Sequence, residues 1–173
     1  LRIGFQGQLV LRGEAVISYP DFETINDTIA DETTKYKNPR NLCSGSVRQL
    51  NNQITAQRHV RFYAFSLVSA ENMEFGTRTQ QFDWLAEQGF SVVEHYTVTA
   101  QSLPDMVERF SQKIETNIIP SDGLVLSYNN IVYGRSLGQT AKFPRDSIAF
   151  KWKDEIRETT LTEIVWSASR TGL

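Results

Sequence analysis

The chain has 173 residues, 40% of them hydrophobic, enough to bury one sizeable core and so to form one domain or most of one. A formal net charge of −2 excludes a protein that coats nucleic acid through overall charge, so any nucleic-acid contact must use a local basic face. A single cysteine, Cys43, excludes an internal disulfide and a cysteine-rich zinc site.

Residues 8–17 alternate apolar and polar side chains, the period of a strand with one buried face, and this strand carries Arg12-Gly13-Glu14. Residues 20–30 read as a helix, with Pro20 in the first turn and Phe22, Ile25 and Ile29 on one face. Residues 31–41 are polar and contain Asn38-Pro39, so a loop is expected, followed by a short helix over 46–50. Aromatic and β-branched residues fill 60–68, the composition of a buried strand. The next predicted helix covers 77–88, with Thr77 as its N-cap and Gly89 just past its end. Residues 90–98 are strand-like. Leu103, Val107, Phe110 and Ile114 keep helical spacing, with Ser102 as the expected cap. Residues 123–128, 148–152 and 161–166 complete the predicted strands. Helices and strands mix without a strict βαβ rhythm, so the expected class is α+β, with largely antiparallel sheets flanked by helices. The small polar tail 167–173 reads as a hinge. No apolar run is long enough to span a membrane, and Leu1 opens no signal-peptide pattern. The default expectation is a cytoplasmic protein whose true N-terminus lies upstream.

Five short polar motifs punctuate this pattern: Arg12-Gly13-Glu14, Asn38-Pro39-Arg40-Asn41, Ser44-Gly45-Ser46-Val47-Arg48-Gln49, Ser121-Asp122-Gly123 and Ala149-Phe150-Lys151-Trp152-Lys153. Each sets charged residues beside glycine or at the end of an apolar run, as in pockets for phosphates and a nucleic-acid backbone. Gly13 lets a ligand approach the backbone, and the Glu14 carboxylate can accept hydrogen bonds from a sugar hydroxyl. A glutamate on a solvated strand face is the plain alternative. Asp122 opens an apolar strand, where a carboxylate binds a divalent cation or a ribose hydroxyl and Gly123 leaves room. Taken alone, Asp-Gly is also a common turn dipeptide.

Lys151 interrupts an apolar run, which is costly unless its ammonium reaches an anion such as phosphate. Period-2 alternation would equally point it at water. Arg40 and Arg48 flank Ser-Gly-Ser, and guanidinium forks suit phosphate oxygens; loop anchoring is the alternative. Arg40, Arg48, Arg58 and Arg61 make one basic cluster along the chain, and Lys142, Arg145, Lys151 and Lys153 a second. His59 and His95 stand alone and read as structural. Cys43 reads as a buried, inert thiol. Trp84 and Trp166 read as core or rim aromatics, and Trp152 as a packing one.

In order and spacing these motifs resemble the adenylation domain of bacterial NAD-dependent DNA ligases, over about residues 9–173. Phe62-Tyr63-Ala64-Phe65, Thr140-Ala141-Lys142-Phe143-Pro144-Arg145 and Ser169-Arg170-Thr171-Gly172 extend the likeness. The resemblance implies part of an ATP-grasp-like nucleotidyltransferase domain. Residues 1–166 would be the stretch downstream of the nucleophilic lysine, and 167–173 a hinge into an oligonucleotide-binding domain. It implies a ligase that seals nicks through enzyme-adenylate and DNA-adenylate intermediates, with NAD as AMP donor and Mg²⁺ as metal. The implied partner is nicked double-stranded DNA, and the implied form a cytoplasmic monomer. By position, Glu14 would contact the adenylate ribose, Lys151 would hold the adenylate phosphate, and Asp122 would serve the metal-dependent phosphoryl steps. Arg40, Arg48 and Arg145 would hold phosphates of the adenylate or the nicked DNA. Charge builds on phosphoryl oxygens in each transition state, and fixed cations stabilise it.

The chain departs from the family pattern at several points. It contains no Lys-x-Asp-Gly, so the AMP-accepting lysine would lie upstream of Leu1. Ser127 stands where the family usually has a lysine near adenine, and residues 115–120 hold no arginine. Phe65-Ser66 replaces a usual Tyr-Gly. Lys151-Trp152-Lys153 is closer to the last motif of ATP-dependent ligases and capping enzymes. Two alternatives therefore stand beside the leading expectation: an ATP-dependent nucleotidyltransferase of the same superfamily, and a degenerate domain that binds DNA without sealing it.

Overall fold

The computed structural model describes residues 4–114, 116–152 and 158–166. Its organising strand is β1 (Leu9–Val16), which pairs antiparallel with β2 (Arg61–Ala70). Odd-numbered residues of this segment turn inward: Leu9 and Leu11 pack on one apolar cluster, Ala15 and Ile17 on another. Arg12 and Glu14 are left on the open face. Two bulges, at Val10/Leu11 and Arg12/Gly13, interrupt the ladder and increase the local twist.

Between the strands lie three short α-helices and a 3₁₀ turn (Glu32–Thr34), each started by a side-chain cap. Ser18 caps α1 (Tyr19–Asp27), with Pro20 in the first turn as expected. Asn38 caps α2 (Pro39–Ser46), its Oδ1 accepting from the Asn41 N–H at 2.8 Å. The Asn-Pro-Arg-Asn string is thus a helix start and not the loop expected from its polarity; Pro39 supplies the fixed φ of a first turn. Pro39, Leu42, Cys43 and Ser46 form the buried stripe of α2. The helix predicted over 46–50 lies one element earlier, because Ser46 spends its hydroxyl on the Leu42 carbonyl at the end of α2 (2.6 Å). Asn51 caps α3 (Asn52–Gln57), which the sequence reading missed.

Beyond β2, Thr77 and Gln80 form a reciprocal capping box on α4 (Arg78–Glu87), and Gly89 ends it at φ +85°, a left-handed turn that favours glycine. Leu85 is fully buried against Ala64 and Leu67, and Trp84 meets Phe5 and Phe75 edge-on or tilted. The strand predicted over 90–98 shrinks to a single parallel bridge between Val92 and Ala64. Further along, Glu94 is taken by Lys113 and Tyr96, so the chain turns to meet α5 (Leu103–Ile114) instead of extending the ladder. Thr99 shares the capping of α5 that was expected of Ser102 alone: the Ser102 N–H donates to Thr99 Oγ1 (3.3 Å) and the Thr99 N–H to Ser102 Oγ (3.0 Å).

A second antiparallel pair joins β3 (Leu124–Ser127) to β4 (Ser147–Phe150), with α6 (Ile131–Ser136) between them, capped by Asn130. The observed class is α+β with antiparallel sheets, in line with expectation. Residues 161–166, predicted as a strand, form no ladder among the described residues, and Leu161, Val165 and Trp166 are exposed; a strand forms only where a partner edge accepts its hydrogen bonds. Lys153 and the tail 167–173 lie outside the described residues.

Replacing Leu85 by Ala opens a cavity under β2 and should cost about 2–5 kcal/mol of stability. Equilibrium urea unfolding followed by tryptophan fluorescence checks this, through Trp84 beside the cavity.

Candidate functional site

Four of the six residues singled out from the sequence fall into two ion pairs, Asp122 with Lys151 and Glu14 with Arg40. Asp122 and Lys151 flank the same end of the β3–β4 hairpin, since Leu124 pairs with Phe150. Lys151 Nζ lies 2.9 Å from Asp122 Oδ2. Gly123 makes the approach possible: a Cβ there would sit 2.4 Å from the Phe150 carbonyl oxygen and 3.2 Å from Lys151 Cγ. On the neighbouring sheet, Glu14 projects from β1 toward the first turn of α2, where Arg40 Nη2 lies 3.7 Å from its Oε1. The charge of Arg40 is the smallest of the influences on the Asp122 carboxyl.

The Asp122 carboxyl is held below its ordinary value of 3.8. The main cause is the hydrogen bond from Lys151; partial burial works against it, while the charges of Lys151 and Arg40 add to it. All four side chains are well exposed, from 60% for Glu14 to 77% for Arg40. Pairs this exposed typically contribute only ~0–1 kcal/mol, so the cluster does little to hold the fold. Its groups are free to meet a ligand.

Other expectations resolve differently. Gly13 does not open a path for a ligand. A Cβ there would lie 2.2 Å from Phe62 Cζ and 2.4 Å from the Tyr63 carbonyl oxygen, so this glycine serves the close contact of β1 with β2. Arg48 lies beyond the far end of α2, roughly 12 Å along the axis from Arg40 at 1.5 Å per residue. The Ser-Gly-Ser between them is the last turn of the helix, with Ser46 buried and Gly45 against the Tyr36 ring. Arg145 sits in the loop before β4, where only its backbone is bonded, to the Gly138 carbonyl at 3.0 Å. Neither the Arg48 nor the Arg145 side chain has a hydrogen-bond or ion-pair partner among the described residues.

The first basic cluster disperses in space. Arg58 stacks over Tyr36 and donates to Ser46 Oγ, and Arg61 pairs with Asp21. His59 also serves Asp21, at 2.8 Å, and His95 lies against Phe82, so both histidines are structural as read. The buried Cys43 donates to the Ala15 carbonyl, and burial, then the charge of Glu14, push its thiol above 9.0. It is an inert thiol, as expected. Trp152 packs edge-on against Phe150, whereas Trp166 is exposed and belongs to no core.

Sequence reasoning passed over Arg78, Arg135 and Asp146, which line a cavity with Arg12. Only the Arg12-Gly13-Glu14 string pointed there.

The family model for the NAD-dependent DNA ligase adenylation domain matches residues 2–155. The chain is 62% identical over its whole length to a DNA ligase of Lachnoclostridium phytofermentans, covering 27% of that protein. It is 60% identical over 99% of its length to a DNA ligase of Ruminiclostridium cellulolyticum, covering 26% of that protein. Against a DNA ligase of Clostridioides difficile it is 32% identical over 99% of its length. The chain belongs to the NAD-dependent DNA ligase adenylation domain family. It spans about a quarter of the length of the curated relatives it matches.

The depressed Asp122 carboxyl carries a sign. A pair of this kind contributes above the ordinary value of 3.8 and is lost as pH falls through the lowered one. In Lys151→Met, the Asp122 titration should move up toward 3.8, read by carboxyl-detected NMR. An unmoved midpoint would show that Lys151 is not the cause.

Proposed function

We propose that the chain forms part of the catalytic core of an NAD-dependent DNA ligase that seals nicks in duplex DNA. The observation that carries this reading is the pairing of Asp122 with Lys151 and of Glu14 with Arg40 in a chain of this family. In this reading residues 1–166 belong to an ATP-grasp-like nucleotidyltransferase domain, and 167–173 lead toward an oligonucleotide-binding domain. Glu14 accepts from the ribose hydroxyls of the adenylate. Lys151 and Arg40 exchange their carboxylate partners for phosphate oxygens when the nucleotide arrives. Arg48 and Arg145, exposed and without partners among the described residues, are free to reach DNA phosphates.

The donor set suits Mg²⁺ in one way only. Among the described residues no group of three or more His, Cys, Asp or Glu side chains could hold a metal. Mg²⁺ commonly takes one or two carboxylates and completes its shell with water and substrate phosphates. Asp122 would be that carboxylate, and the ion would supply charge neutralisation at the phosphoryl group. Among the described residues no helix is long and apolar enough to cross a membrane.

Intact mass of the whole protein after incubation with Mg²⁺ and either NAD or ATP tests the class. A gain of one AMP with NAD alone is expected. A gain with ATP alone would move the protein to the ATP-dependent branch, which the Lys151-Trp152-Lys153 string favours. No gain with either, from folded protein stripped of bound AMP, would leave a DNA-binding domain without chemistry.

Lys151→Ala and Asp122→Ala should each lower sealing by at least about 10²–10³-fold, the scale of losing one charge-stabilising group in a transition state. Circular dichroism should stay unchanged, given how exposed both side chains are. Wild-type sealing in both variants would sink the role assignments. Arg48→Ala should weaken nick binding and lower its salt slope by about 1.

A further inference from the structure

A second group of cations lies beside the four site residues and is not used by them. A cavity of about 220 Å³ opens where the β1–β2 sheet meets α4, α6 and the residue before β4. Arg12, Arg78 and Arg135 line it together with Asp146. Three guanidiniums therefore share one recess with a single carboxylate.

That carboxylate is already engaged on both oxygens. Oδ2 pairs with Arg78 Nη2, and Oδ1 accepts from Ser147 Oγ at 3.0 Å. Gly134 lets Asp146 come this close to α6, since a Cβ on it would lie 3.1 Å from Asp146 Cβ. Arg78 is fixed at a second point, its Nε donating to the Tyr128 carbonyl at 3.2 Å. Arg12 and Arg135 are exposed and have no hydrogen-bond or ion-pair partner among the described residues. The recess holds an excess of two positive charges on flexible arms above a fixed floor.

Guanidiniums in one recess repel each other, and an anion with several acceptor oxygens relieves this. We propose that the cavity is a phosphate-binding subsite, with Arg12 and Arg135 closing on the phosphate and Arg78, held by Asp146, forming its floor. Its place agrees with a substrate of more than one phosphate. Arg12 and Glu14 project from the same open face of β1, two residues or roughly 7 Å apart along the strand. A phosphate in the recess is thus the neighbour of a nucleotide held at Glu14. The subsite rests on the ligase reading, and its phosphate comes either from NAD or from a strand of the nicked duplex.

Arg12→Gln and Arg135→Gln in the whole protein separate these sources. Two quantities are read in parallel: the KM for NAD in self-adenylation, and the affinity for a nicked duplex as a function of salt. Each variant should shift one of them by about tenfold, the scale of losing a charge-assisted contact. Weaker duplex binding, with a salt slope lower by about 1 and an unchanged KM, assigns the recess to a DNA phosphate. A raised KM with unchanged duplex binding assigns it to NAD. If both quantities stay within twofold of wild type in both variants, with unchanged thermal melts, the subsite is overturned. A wild type that takes up AMP from NAD keeps the ligase reading intact in that case, so the two failures are distinguishable. Arg12→Lys and Arg135→Lys, which keep the charge and lose the fork, serve if a Gln variant does not fold, and should recover the salt slope without full affinity.

Discussion

The antiparallel ladder between β1 and β2 is the constraint on which both the packing and the site depend. One strand faces two ways. Leu9, Leu11, Ala15 and the adjoining Ile17 feed two separate apolar clusters, while Arg12 and Glu14 stand on the opposite face. Side chains alternate along a strand, so a slip of one residue would bury the charges and expose the core together. Gly13 helps to fix that register, because the Phe62 ring and the Tyr63 carbonyl occupy the space a Cβ would need. The same residues that hold the cores in place therefore aim the site.

The charges fall into two kinds. Glu14–Arg40 and Asp122–Lys151 are open to water and add little to stability. They set two cations against two carboxylates and so keep this surface close to neutral. Arg78–Asp146 is different, with the two side chains 26% and 14% exposed. Breaking one partner of such a pair leaves a desolvated charge behind, so it is a structural element. Arg58 and Arg61, grouped with Arg40 and Arg48 by their place in the sequence, also do structural work, on Ser46 and Asp21.

Local signals were legible wherever the cause was local. The period of β1, the Thr77 cap with Gly89 beyond it, and Pro20 in the first turn of α1 all follow from neighbours in the chain. The misses needed partners far away. Residues 161–166 end in an apolar run but find no edge among the described residues, and residues 90–98 lose theirs when Glu94 turns to Lys113. Asn38-Pro39 carries both loop and helix-start signals, and the buried stripe of Leu42, Cys43 and Ser46 decided between them. For the candidate site, the motifs singled out Glu14, Arg40, Asp122 and Lys151, which form two ion pairs. It could not reveal that Arg135 and Arg78 would face Arg12, since nothing in their own neighbourhoods marks them.

The β3–β4 hairpin and α6 hang from the start of α4 by polar contacts. The Arg78 N–H donates to the Asn129 carbonyl, the Thr79 N–H to Asn129 Oδ1, and the Ile131 N–H to the Gly76 carbonyl. Neither apolar cluster includes a residue of the hairpin, whose Val125 and Ile148 remain exposed. The partly buried Arg78–Asp146 pair closes the same joint, so it is held by polar contacts more than by apolar burial. The two halves of the site thus sit at different depths of a stability gradient. Glu14 and Arg40 are anchored to elements that feed the apolar clusters. Asp122 and Lys151 ride on a unit tied to the rest of the molecule through the start of α4.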